Sequence, residues 1–180
     1  MSSQNFNTAK NHFELLGLTE AFVLDASQLE LNYRALQAKV HPDKSASLSD
    51  SEQRQAMQRS TRVNEAYQTL KSPIRRARYL LLLKGVDTQE ETNTAMPVEF
   101  LMAQMEWREA VVDAEKSRDI AALDVLDARM KVETRELEGQ LRDKIDAEHD
   151  YSFAAGLVRK LRFMEKLAEE IHSAYDELDN

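Results

Sequence analysis

Apolar side chains at Leu29, Tyr33, Leu36 and Val40 recur at the i, i+4, i+7, i+11 spacing of one helix face, with polar residues between them. Asp25 stands at the N-cap position with Gln28 three residues on, which predicts the start of that helix. Its end is predicted at about His41, because Pro42 cannot continue a helix and turns the preceding residue away from helical geometry. Ser49 and Glu52 have the spacing of a capping box and open a longer helix with an inner stripe of Ala56, Ser60, Val63, Tyr67 and Leu70, stopped by Ser72-Pro73. A short helix around His12 to Leu16 ends at Gly17, and another, Ile74 to Leu83, ends at Lys84-Gly85. The two long helices, joined by a polar loop of about eight residues, should pack as an antiparallel pair. That places Tyr33, Leu36, Val63, Tyr67 and Leu70 in a core and throws His41, Pro42 and Asp43 to one end.

A polar, unperiodic stretch, 85–96, reads as a linker, and periodic patterning then resumes as three helices over roughly 97–116, 119–148 and 152–178. Three helices with short connections imply a small antiparallel bundle. The first of them starts at Pro97, which suits the first helical position. It carries one apolar stripe of Phe100, Ala103, Trp107, Ala110, Val111 and Ala114, and a second one almost opposite, Leu101, Met102, Met105 and Val112, edged by Glu106 and Glu109. One stripe suffices for folding. The other is either covered by the last helix or left as an exposed binding surface, a use that suits methionine. The last helix has a core line of Phe153, Leu157, Leu161, Met164, Ala168, Ile171, Tyr175 and Leu178, and Phe163 lies about 100° off it, where it would extend the second stripe.

No strand-like alternation occurs, and with only 4 glycines and 3 prolines in 180 residues the fold class is all-α. The absence of cysteine excludes a disulfide framework, a thiolate zinc site and a cluster held by this chain's own thiolates. No metal or cofactor is expected. Charge adds a division that periodicity does not show. Residues 1–84 carry 12 Lys+Arg against 8 Asp+Glu, whereas 85–180 carry 12 against 24, which argues for two modules with different partners. The acidic second half argues against nucleic acid as a partner. Residues 1–10 have no apolar run and read as a disordered leader, neither signal nor transit peptide, and Tyr79–Leu83 is too short to cross a bilayer, so a soluble, cytoplasmic protein without membrane contact is expected.

His41 and Asp43 have the residue types of acid-base machinery, but no nucleophilic Cys, Gly-flanked Ser or phosphate-cradling loop accompanies them, and His12, His149 and His172 lack metal-ligand spacing. A non-enzymatic role follows. Arg34, Lys39 and Lys44 sit on or near the outer face of the first long helix, where a solvated helix face is the plainest reading.

In combination, Phe13-Glu14-Leu15-Leu16-Gly17-Leu18, the His41-Pro42-Asp43 loop and Asn64-Glu65-Ala66-Tyr67-Gln68-Thr69-Leu70 resemble a J domain of the DnaJ family over roughly residues 11–75, within a first domain of 11–84. The resemblance implies that His41, Pro42 and Asp43, with the basic Arg34, Lys39 and Lys44, meet a DnaK-type chaperone ATPase. The basic run is sparser than in many J domains, and no Gly/Phe-rich or cysteine-rich region follows, so client choice is assigned to the second domain, 97–180. There, Phe100 to Glu109, Arg76 to Gly85 and Val158 to Phe163 are similar to the HscB family, J-type co-chaperones of iron-sulfur cluster biogenesis. That likeness implies stimulation of the specialised chaperone HscA, and binding and delivery of the cluster scaffold IscU through Leu101, Met102, Met105, Glu106, Glu109 and Phe163. Met105 stands where leucine is common, which keeps apolar volume. The cysteine-based N-terminal metal element of some eukaryotic relatives is missing, which favours a bacterial cytoplasm. From another class, a structural assembly protein with a degenerate J-like hairpin remains open on the residues alone.

Overall fold

The computed structural model describes residues 10–40, 49–89 and 96–178, and every regular element in them is helical. The chain divides into two compact units between Leu80 and Leu81. Most of the leader (1–9), His41, Pro42, Asp43 and Lys44, and the middle of the linker (90–95) lie outside the described residues.

In the first unit, α1 (His12–Leu16) is closed at both ends by local chemistry. Asn11 and Glu14 cap each other reciprocally, and Gly17 takes the left-handed conformation at φ 64°, which lets its N–H reach back to the helix carbonyls. Phe13 and Leu16 are thereby driven into the core, and Asn32 Nδ2 donates to the Leu16 carbonyl at 2.7 Å. α2 (Ala26–Val40) starts where Asp25 accepts from the N–H groups of Ser27 and Gln28, at 2.8 and 3.2 Å. α3 (Asp50–Lys71) starts at the expected Ser49/Glu52 capping box. Contacts between Glu30 and Tyr67 and between Tyr33 and Asn64 run in opposite chain directions, so α2 and α3 are antiparallel.

Leu29, Val63, Ala66, Tyr67 and Leu70 are buried as the spacing requires. Tyr33 and Leu36 are not; both are half-buried. The reason is visible at Tyr33, whose ring stacks on Tyr67 with centroids 4.0 Å apart while its hydroxyl donates to Asn64 at 3.0 Å. A side chain with a polar tip serves a seam between apolar and wet regions better than a dry interior.

Ser72 breaks α3 in extended geometry and Pro73 opens α4 (Pro73–Leu83). Arg76 then turns back under the break. Its Nη1 donates to the Leu70 carbonyl at 2.6 Å and its guanidinium lies 5.1 Å over the Phe22 ring, both in a buried setting. Replacing Arg76 by alanine strands a buried carbonyl and should cost about 1–3 kcal/mol in chemical denaturation. Arg76→Lys should recover only part of it, because an ammonium lacks the planar face that covers Phe22.

The second unit is built on α5 (Val98–Ser117), α6 (Ile120–Arg142) and α7 (Tyr151–Leu178). Pro97 is the N-cap of α5, one position before its expected place. Arg118, at φ 54°, makes the turn into α6, whose N-cap Asp119 accepts from the Ala122 N–H at 3.0 Å. The span expected as one helix to 148 changes pitch: Asp143–Ala147 is a π-helical turn, and this widened turn carries the buried Ile145. Periodicity at 100° per residue cannot register such a change.

Trp107, Val111 and Ala114 of α5 and Leu123, Leu126, Met130, Leu137 and Leu141 of α6 are buried against α7 and each other. On α7 the buried set includes Ala154, Leu157, Val158, Leu161, Phe163, Met164, Leu167, Ile171 and Ala174. Two expectations are corrected here. Phe153 is exposed, and Phe163, expected to widen an open patch, is 7% exposed. Both follow from α7 packing on two helices at once, which widens its buried arc beyond a single line and shifts its centre. The residues read as linker are also in part packed: Thr88 is buried, and its carbonyl accepts from Arg159 Nη1 at 3.0 Å.

Tyr175 donates to Asp124 at 2.7 Å, tying α7 to α6. Burial first, and then this hydrogen bond to a carboxylate, push its phenol up to about 12. The neutral phenol is favoured in the fold, so its contribution is complete below the unfolded value near 10 and is lost as pH rises through about 12. Alkaline denaturation should therefore show a loss of stability across that window that is smaller in Tyr175→Phe.

Candidate functional site

Two surfaces carry the residues singled out by the sequence. On the first unit, Arg34 projects from α2 with its Nε 2.7 Å from Glu30 Oε1, the pair being i, i+4 and largely exposed. Glu30 also accepts from the Tyr67 hydroxyl, and these two hydrogen bonds, Tyr67 first and Arg34 second, hold its carboxyl below the usual range. Lys71 lies 5.4 Å over the Tyr67 ring. Arg34 is thus one member of a polar belt across the α2/α3 pair, with the charged Glu30 and Lys71 and the neutral Tyr67 hydroxyl between them. Lys39 is exposed in the last turn of α2, where a cation is favoured by the helix dipole. α2 ends at Val40 and α3 begins at Asp50, so His41, Pro42, Asp43 and Lys44 fall between them in the sequence and outside the described residues.

On the second unit, α5 leaves its second stripe uncovered within that unit. Leu101 is 41% exposed, Met102 58% and Met105 65%, and Glu106 and Glu109 are exposed beside them. Val98 is equally open and stands at i, i+4, i+7 with Met102 and Met105. Its spacing was available in the sequence, but its place beside Pro97 disguised it as part of a helix start.

Phe163 belongs beneath this surface. Its ring meets Phe100 edge-on, with centroids 5.6 Å apart, and Arg108 lies 5.5 Å over it. Arg108 also pairs with Glu170 of α7 at 3.3 Å, and Lys160 lies 5.3 Å over Phe100. The first turns of α5 are therefore held to α7 by two aromatic rings and the cations that cover them. That arrangement fixes the direction of the open stripe without contributing to its area.

Among the described residues no group of three His, Cys, Asp or Glu could hold a metal ion, and no helix is long and apolar enough to cross a membrane. His12 has a ring lowered from its usual value mainly by burial, stacked on Tyr79 at 4.2 Å, and its backbone N–H donates to the Tyr79 hydroxyl at 3.0 Å. Its part is to join α1 to α4.

Comparison with known proteins agrees with the division into units. The DnaJ domain family matches residues 11–79, and the family described as HSCB C-terminal oligomerisation domain matches residues 96–172. The chain is 53% identical over 174 residues to a co-chaperone protein HscB homolog of Chromobacterium violaceum, covering 97% of this chain and 98% of that one. A homolog of the same description from Azoarcus sp. is 46% identical over 171 residues, covering 95% and 97%. Among solved structures, chaperone HscB from Vibrio cholerae superposes with a TM-score of 0.84 at 39% identity, covering 94% of this chain and 99% of that one. Human co-chaperone protein HscB superposes at 0.88 and 29% identity, covering 93% and 83%. Two matched domains in this order, and relatives alike over nearly their whole length, show that the chain belongs to the HscB family of J-domain co-chaperones.

Proposed function

We propose that this co-chaperone stimulates ATP hydrolysis by a specialised, HscA-like DnaK-type chaperone and brings it an IscU-like iron-sulfur scaffold, in a bacterial cytoplasm. The observation that carries the reading is the open α5 stripe: Leu101, Met102 and Met105 are exposed on a helix that already buries Trp107, Val111 and Ala114. Methionine and leucine side chains on a rigid helix offer apolar area that adapts to a partner at little structural cost. Glu106 and Glu109 at its border favour a scaffold surface bearing Lys or Arg, and set encounter rate and salt dependence more than final affinity. The chaperone is met by His41, Pro42 and Asp43, with Arg34, Lys39 and Lys44 supplying attraction to an acidic surface. The chain itself carries out no reaction; an intact His-Pro-Asp sequence favours this role over that of a passive assembly protein.

Alanine at His41, Pro42 and Asp43 together should abolish stimulation in a single-turnover ATPase assay with the cognate chaperone. Thermal stability should change by no more than about 0.5 kcal/mol, the scale of surface substitutions. Full stimulation by a folded triple variant would sink the chaperone assignment.

For the scaffold, Leu101, Met102 and Met105 changed together to alanine should weaken binding at least about tenfold, which needs only about 1.4 kcal/mol. Isothermal titration with purified scaffold measures it, and stimulation of the chaperone by this protein without scaffold should persist. Phe163 is left out of the variant because truncating it would open a cavity under α5 and confound docking with packing. Unchanged affinity in the folded triple variant would place the client surface elsewhere.

A further inference from the structure

A groove in the first unit lies apart from both surfaces described above. It is open, about 500 Å³ in volume, and runs between His12 of α1 and the α3 residues Met57, Gln58, Thr61, Arg62 and Glu65. Those α3 residues stand three and four positions apart, so they form one face of the helix. Polar groups along this face are turned back on their own helix: Arg54 Nε donates to the Asp50 carbonyl at 3.1 Å, and Thr61 Oγ1 to the Met57 carbonyl at 3.0 Å. Met57 is left as the apolar feature of the groove, 67% exposed. Charges of both signs surround it, Arg54 and Arg62 against Glu65.

One end of the groove is where the chain enters the fold. Arg62 Nη2 donates to the Lys10 carbonyl, and Asn11 follows in extended geometry, φ −71° and ψ 173°, as the cap of α1. The peptide before α1 is thus anchored on the rim, at the α3 position five residues beyond Met57.

We infer that this groove is a docking site for the chain's own leader, residues 1–9, with Phe6 as the anchor against Met57. Reach and composition support this occupant. Phe6 is four residues from Lys10, a span of up to about 13 Å of extended chain, whereas Met57 lies only about 7.5 Å from Arg62 along the α3 axis. The ring reaches the methionine with slack to spare, and a thioether beside an aromatic ring is a favourable contact. Residues 1–9 include no Asp, Glu, Lys or Arg, so they meet walls of both signs without a like-charge clash. The amides of Gln4, Asn5 and Asn7 both donate and accept, which suits Gln58, Arg62 and Glu65. A strongly acidic or basic partner fits less well, because it would meet a like charge. Tethering holds the leader at an effective concentration on the order of millimolar, so contacts too weak to retain a separate peptide suffice. The leader thereby becomes an intramolecular ligand that screens the outer face of α3. This site draws on neither the α5 stripe nor the His-Pro-Asp segment, so its failure and that of the proposed function are separate outcomes.

Oxidation kinetics of the full-length protein test the inference. Met57, Met102 and Met105 are 67%, 58% and 65% exposed, so dilute hydrogen peroxide should convert all three to sulfoxides at similar rates if nothing covers Met57. With the leader docked about two-thirds of the time, peptide mapping by mass spectrometry should show Met57 reacting about threefold more slowly than Met105. Phe6→Ala should bring the two rates together, with unchanged helicity by circular dichroism. Because the chain has no cysteine, Gln4→Cys carries a single nitroxide. The label should broaden the amide signals of Met57, Gln58 and Thr61 more strongly than those of Leu31 and Arg34 on α2, and should do so within one chain. Equal rates at Met57 and Met105 in the parent, a difference that survives Phe6→Ala, α3 signals left sharp, or broadening only between mixed chains overturns the inference.

Discussion

An α-helix packed at the edge of a small bundle can bury only part of its circumference, and α5 carries apolar residues on nearly opposite faces. Trp107, Val111 and Ala114 take the inner face, so Leu101, Met102 and Met105 must remain outside. The choice between faces is decided by size and partners: the indole of Trp107 has Arg129 over it, and Phe100 has Phe163 to lean on. Methionine has no comparable claim on a fixed site. The exposed stripe is thus a consequence of how the bundle closes, and its position is as rigid as the core that excludes it.

The first unit solves a different problem. α2 buries little beyond Leu29, and its pairing with α3 relies on stacked tyrosines and on polar contacts from Glu30, Tyr33 and Gln37. Dry packing is concentrated around Phe13, Leu16, Val63, Leu70 and Leu80. A hairpin assembled this way keeps its cations and carboxylates hydrated along one side, where a charged partner can meet them at short range and salt can screen them.

Much of this was legible in the order of residues. Caps were the surest signals: Asp25, and Ser49 with Glu52, act as their types suggest, because a cap is a local hydrogen bond between a side chain and the nearest free N–H groups. The two faces of α5 were also legible, since only one neighbouring surface can lie against each. α7 was harder. Its true buried arc includes Ala154, Val158, Phe163 and Leu167, which a single line of large residues omits, because that line says nothing of how many helices lie against it. The π-helical turn at Asp143–Ala147 was not legible at all; a one-residue change in hydrogen-bond register leaves no periodic trace. Val98 shows the opposite failure, a residue with the right spacing that was hidden by the proline before it.

Two of the side chains on the α5 stripe are thioethers, Met102 and Met105, and both are open to solvent. Peroxide converts an exposed thioether to a sulfoxide, which is polar, chiral and larger, and methionine sulfoxide reductases reverse the change. A stripe made polar in this way would offer less apolar area, while Met130 and Met164, buried in the bundle, are shielded from the same change. Leucine in the same places would be inert. Oxidation at Met102 and Met105 would therefore change the exposed face of α5 and leave its buried face, Trp107, Val111 and Ala114, untouched.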